Sequence, residues 1–304
     1  MIVATTTGDF DTLCKTDGEK LRELHAAGFR YVDLSMYSFT PDSPYMGEGW
    51  REEAEKLRDL ADSLGMKFVQ AHSQGGNPLS ADKAHVDFLI KATLRSIEIC
   101  EVLGIPFTVA HAGVRKGLSK EEWFHENKSF YAQLVPTMER CGVKVLCENS
   151  TAKNMGEAYY INTGKDMREF IEYVDHPLFG GCWDTGHANC EGSQYGEIMA
   201  LGDKLTAIHY NDNRGGGDEH IAPFLGTLNH DEVITALIDV GFKGPFTLEC
   251  TSSLRHYNYW QGDRRRFEGE ARLREPQLFM QRHIEKMMYE TAVWMLKTYG
   301  VWEK

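Results

Sequence analysis

Short apolar, β-branched runs alternate along this chain with longer amphipathic segments, and the alternation recurs eight times. Ile2 to Thr5, Tyr31 to Leu34, Lys67 to Ala71, Phe107 to Ala110, Val143 to Cys147, Phe179 to Trp183, Leu205 to Ile208 and Phe246 to Leu248 read as strands. Helical periodicity fills the intervals: near Gly18 to Ala27, Trp50 to Leu64, about Ala81 to Leu103, Lys120 to Arg140, Gly164 to Val174, around Gly196 to Leu201, and His230 to Val240. A last helix is predicted from Pro276, suited to a first helical position, to Tyr299, with Gly300 as its stop. Eight βα units with short strands predict an α/β fold, a single (β/α)8 TIM barrel over residues 1–304. A doubly wound open sheet is the weaker reading, because no Gly-x-Gly-x-x-Gly follows the first strand. One segment stands apart. Leu254 to Arg274, with its run Asp263-Arg264-Arg265-Arg266, reads as an insertion in the last βα connection: a lid, a phosphate contact, an oligomer arm or a plain solvated loop.

Composition narrows the function classes. The chain has 304 residues, 42% hydrophobic and 26% charged, enough to bury a large core, and no apolar run of membrane-spanning length. Its start lacks the basic and apolar regions of a secretory signal, so a cytoplasmic location is expected. The seven cysteines show no CxxC spacing and read as reduced thiols rather than a disulfide frame. A formal net charge of −12 disfavours non-specific contact with nucleic acid or anionic lipid.

The chemistry concentrates where the strands end. His72 follows the third, His111 the fourth, Glu148-Asn149 the fifth, Asp184 the sixth with His187 in its loop, His209 the seventh and Glu249 the eighth. In a parallel barrel all of these project at the C-terminal face, where active sites sit. Buried carboxylates are costly unless paired or metal-bound, so six consecutive strands ending this way point to a site. Glu148, Asp184, His209 and Glu249 form a mostly hard-oxygen donor set suited to Mn²⁺, Mg²⁺ or Co²⁺, with Zn²⁺ also open. His72 and His111 can line the pocket, bind metal or serve as hydrogen-bonded core histidines. In the seventh loop, Arg214 offers a fork of donors to a substrate oxygen. Asp218 and His220, two apart, would share a face of an extended loop, and three glycines let that loop fold back over the pocket.

These fragments together resemble the xylose isomerase-like superfamily of TIM barrels, which includes ketose 3-epimerases, hydroxypyruvate isomerases, inosose dehydratases and endonuclease IV. The carriers are Cys-Glu-Asn at 147–149, Asp-Thr-Gly-His at 184–187, His209 with Asn211-Asp212, Asp-x-His at 218–220, and Leu-Glu-Cys at 248–250. The resemblance to sugar epimerases implies that Glu148, Asp184, His209 and Glu249 hold one divalent ion. It also implies that Glu148 and Glu249 are the acid/base pair and that His187 and Arg214 hold substrate oxygens; from their strand-end positions, His72 and His111 are expected as further pocket residues. The expected activity is metal-dependent isomerisation or epimerisation of a small ketose or derivative through an enediolate. An inosose dehydratase-like lyase shares that chemistry. The rival is an endonuclease IV-like zinc phosphodiesterase acting on abasic DNA, for which Asp218 and His220 would be additional ligands. A non-catalytic sugar-binding barrel ranks last, having little need for two strand-end glutamates. A small sugar is the expected partner, with homo-oligomerisation open through the last helix.

Overall fold

The computed structural model describes residues 1–254, 273 and 275–304. Its elements in chain order are β1 (Val3–Thr6), α1 (Asp17–Ala27), β2 (Tyr31–Ser35), α2 (Trp50–Ser63), β3 (Lys67–His72), α3 (Lys83–Leu103), β4 (Phe107–Val109), α4 (Lys120–Ala132) and α5 (Val135–Cys141). There follow β5 (Lys144–Glu148), α6 (Ala152–Met155), α7 (Gly164–Val174), β6 (Phe179–Asp184), α8 (Thr185–Asn189), α9 (Tyr195–Leu201), β7 (Leu205–His209), α10 (His230–Asp239), β8 (Phe246–Leu248) and α11 (Leu278–Thr298). The strands pair in parallel in the order β7-β6-β5-β4-β3-β2-β1-β8. Tyr210 bridges to Leu248 across the remaining gap, so the sheet closes into a (β/α)8 barrel.

The helices stop and start where local chemistry dictates. Thr16 caps α1 and Ser119 caps α4, each in a reciprocal capping box with Glu19 and Glu122. The single helix expected from Lys120 to Arg140 is instead two, α4 and α5. Pro136 has no N–H for the carbonyl of the preceding turn and its ring crowds that carbonyl, so the helix breaks at Gln133-Leu134 and restarts with Pro136 in the first turn of α5. The last helix begins at Leu278, two residues beyond Pro276. The short helices α6 and α8, in the loops after β5 and β6, have no counterpart among the expected elements.

Most of the core lies between the barrel wall and the helices, where Trp123, Tyr131, Phe170 and Phe179 pack ring against ring. Inside the barrel the side chains are partly polar. Thr247 donates to Gln70, and Gln70 donates to Asp33, all fully buried. All seven cysteines are free thiols. Among the described residues, no helix is long and apolar enough to cross a membrane. Apart from Leu254 and Leu273, nearly all of the Leu254 to Arg274 insertion lies outside the described residues.

Candidate active site

The strand ends deliver the expected side chains to one place. His72, Glu148, Asp184 and His209 are the last residues of β3, β5, β6 and β7; Glu249 follows β8 directly, and His111 lies two residues past β4. One ligand atom each from Glu148, Asp184, His209 and Glu249 falls within 4.8 Å of the others. Two buried carboxylates, the half-buried Glu249 and one imidazole so close together could share a cation. The hard-oxygen donor set therefore fits a divalent ion, consistent with the positions of its atoms.

Each donor is aimed by a neighbour. His209 turns Nδ1 to Glu148 Oε1 at 2.7 Å and Glu249 Oε2 at 3.3 Å, while its buried, otherwise unpartnered Nε2 faces Asp33 at 3.6 Å. Asp184 accepts from the His187 amide at 2.6 Å and from Asn211 Nδ2 at 2.7 Å. Asn149 accepts from the Asp184 amide and donates to its carbonyl, locking β5 to β6. Gly186 leaves the room for this: a Cβ there would sit 1.8 Å from Asn211 Oδ1.

Two further groups adjoin the first. Glu148 also accepts from His111 Nε2 at 2.8 Å, and His72 lies 3.1 Å from the same nitrogen. The Nδ1 of His72 donates to the Ser73 carbonyl; burial disfavours a charge on this ring, but Glu148, 3.6 Å from its Nε2, raises its pKa. On the other side His187 Nε2 is 3.1 Å from Asp218, and Asp218 is 2.9 Å from His220 Nε2. His220 does not sit on an extended loop. Its φ of 45° is left-handed, and that turn, with the antiparallel bridge Asp212–Ile221, brings it beside Asp218. Asp184, His187 and His220, like His72, Glu148 and His209, each present ligand atoms within 4.8 Å.

The electrostatics follow from burial and pairing. Burial pushes the Glu148 carboxyl up, but His209 and His111 outweigh it and hold the group well below the usual range. Burial dominates at Glu249, whose carboxyl is raised although His209 and His220 oppose the rise. Burial disfavours a charged His187, yet Asp184 and Asp218 carry its pKa to about 10. His220 is raised well above the ordinary value against its burial by Asp218 and Glu249, and Asp218 is correspondingly lowered. At His111 burial wins and the pKa falls. Two glutamates shifted in opposite directions thus line one cavity.

Above these groups lies a cavity of about 260 Å³, lined in part by Glu148, Glu249, His72, His111, His187, Asp218 and His220. Arg214 does not line it; the guanidinium is largely exposed and donates to Glu219 at 3.0 Å. Asp212 is fully buried and accepts from the amides of Asn213, Gly226 and Leu228, organising the seventh loop. Three residues escaped the sequence reading. Asp33 backs His209, and its only signal is a carboxylate inside an apolar strand. Tyr37 lies edge-on to His72 and His111, with ring centroids 5.2 and 6.0 Å away, and Asp9 lines the cavity wall.

Comparison with known proteins agrees with this geometry. The family described as "Xylose isomerase-like TIM barrel" matches residues 21–282. A D-psicose 3-epimerase of Ruminiclostridium cellulolyticum is 30% identical over 132 residues, 43% of this chain and 42% of its own. A probable endonuclease 4 of Methanoculleus marisnigri is 26% identical over 213 residues, 60% of this chain and 72% of its own. Among solved structures, the IolI protein with a bound zinc atom superposes with a TM-score of 0.72 at 18% identity, covering 98% of this chain and 99% of that one.

Proposed function

For this chain, which belongs to the xylose isomerase-like TIM barrel family, we propose a divalent-metal-dependent sugar isomerase or epimerase acting through an enediolate on a small ketose or derivative. The observation that carries the reading is the convergence of Glu148, Asp184, His209 and Glu249 on one point beneath a cavity of about 260 Å³. A Mn²⁺, Mg²⁺, Co²⁺ or Zn²⁺ ion held there would polarise a carbonyl and its neighbouring hydroxyl.

The chain's own residues do the rest. Glu148, held ionised by His209 and His111, is the base that removes a proton from the carbon beside the carbonyl. Glu249, the other strand-end glutamate lining the cavity, returns the proton. Return to the opposite face of the same carbon gives an epimer; return to the neighbouring carbon gives an isomer. His187, held by Asp218 and the Asn149 carbonyl, and the His72–His111 pair form the wall against which substrate oxygens would lie. Arg214 joins them only if it leaves Glu219.

The test is solvent exchange. With Mn²⁺ in D₂O, a responsive ketose gains deuterium at the carbon beside its carbonyl, and Glu148→Gln and Glu249→Gln each abolish the gain. No uptake across a broad ketose panel contradicts the reading.

One observation favours a second reading. The Asp184–His187–His220 and His72–Glu148–His209 groups adjoin the four-ligand group, so the residues for more than one ion are present. That arrangement supports an endonuclease IV-like zinc phosphodiesterase acting on abasic DNA, as does the relative from Methanoculleus marisnigri. Elemental analysis separates the two: about one ion per chain accords with the sugar enzyme, about three zinc ions with the nuclease.

A further inference from the structure

A second cavity opens beside the first, and proton transfer makes no use of it. It measures about 580 Å³, and Asp11, Thr12, Ser35 and Ser38 line both, so the two are continuous beyond the ends of β1 and β2. The first cavity alone falls below the roughly 300–1,000 Å³ of ordinary small-molecule sites, whereas the two together fall well inside that range.

The groove's lining says what it would hold. Phe39 and Tyr45, with ring centroids 5.7 Å apart, join Leu57 and Leu60 as an apolar wall. Opposite chemistry comes from Lys20, a buried lysine bonded to Asp11 at 2.6 Å and Asp17 at 2.9 Å. Lys56 is engaged by Glu52 and Glu53 at 3.0 and 2.9 Å. The amides at the start of α1 are served by Thr16, in its box with Glu19. Asp11, Asp17 and Glu53 thus balance Lys15, Lys20 and Lys56, and of these lysines only the exposed Lys15 lacks a carboxylate partner among the described contacts. A phosphate would find Lys20 and Lys56 already paired, with only the exposed Lys15 left to receive it. An uncharged ring would find a flat apolar face with hydroxyls and paired charges along its edge.

We propose that this groove is a second substrate subsite for an uncharged ring substituent, so that the preferred substrate is a ring-substituted sugar rather than a free or phosphorylated one. The proposal rests on the sugar-enzyme reading above, but its test reads binding and needs no turnover. The Mn²⁺-loaded full chain is titrated with fructose, fructose 6-phosphate and two disaccharides that end in a reducing fructose unit, lactulose and isomaltulose. Lactulose or isomaltulose is expected to bind roughly tenfold tighter than fructose. Lys15→Trp, which fills the groove, and Phe39→Ala, which removes part of its wall, are each expected to collapse that ratio. Equal binding of all four, a preference for the phosphate ester, no binding at all, or a ratio that survives both substitutions overturns the proposal. If ring preference is found while deuterium exchange fails, the subsite stands and the proton-transfer reading falls.

Discussion

Asp9 and Glu285 form a buried pair of carboxyl groups joining the cavity wall to the last helix, and they give a stability prediction whose sign is fixed. Thr5 donates to Asp9 at 3.0 Å and Gln281 donates to Glu285 at 2.8 Å. Beyond these, Asp9 Oδ1 and Glu285 Oε2 have no other donor, and the two carboxyls hydrogen-bond to each other, which requires a proton on one of them. Burial, the largest influence, raises Glu285 from 4.5 to about 7, and burial with the Glu285 charge raises Asp9 well above its usual value. A carboxyl whose folded pKa exceeds its unfolded one contributes stability that is complete below the unfolded value and lost as pH rises through the folded one. For Glu285 the window runs from 4.5 to about 7, and the whole rise corresponds to about 3 kcal/mol. Glu285→Gln keeps an acceptor for Gln281 and supplies a permanent donor to Asp9. Urea unfolding of metal-free wild type and variant between about pH 5 and about pH 8 is the assay, because the titrations of the active-site histidines cancel in the difference. Wild type is expected to lose up to about 3 kcal/mol relative to Glu285→Gln across that range. Parallel curves, or a wild type that gains on the variant as pH rises, refute the shared proton.

Other consequences concern the aiming of the donors. Gly186→Ala puts a Cβ against Asn211 and should cost roughly 10–100-fold in Mn²⁺ affinity, read by titration calorimetry, by freeing the Asp184 carboxylate. Asp33→Asn, which removes the charge facing His209 Nε2, should weaken Mn²⁺ binding by a similar roughly 10–100-fold; unchanged affinity would leave Asp33 a packing residue. Gly75→Ala would place a Cβ 2.2 Å from the Tyr37 ring, so KM for a responsive ketose should rise through displacement of that ring from over His72 and His111.

The barrel was legible in the chain because buried parallel strands leave continuous apolar runs and each is followed by a helical period. Boundaries failed where one residue overrode periodicity: Pro136 splits a helix that its neighbours would have continued. Ligand candidates were legible because an acid or histidine at the end of an apolar strand has no packing reason to be there. What stayed hidden depends on contacts between strands distant in sequence. Asp33 gains meaning only when β2 and β7 meet inside the barrel, and Asp9 only when α11 brings Glu285 to it. Arg214 illustrates the reverse. Its chemistry suited a substrate, but the five-residue reach to Glu219 captured it first.

The central claim is that Glu148, Asp184, His209 and Glu249 enclose a single cation site. Anomalous diffraction from crystals grown with Mn²⁺ tests it directly. One strong peak bonded to those four side chains, absent in crystals of Glu148→Gln, is the expected result. No peak there, or peaks only among His187, Asp218 and His220, would contradict it.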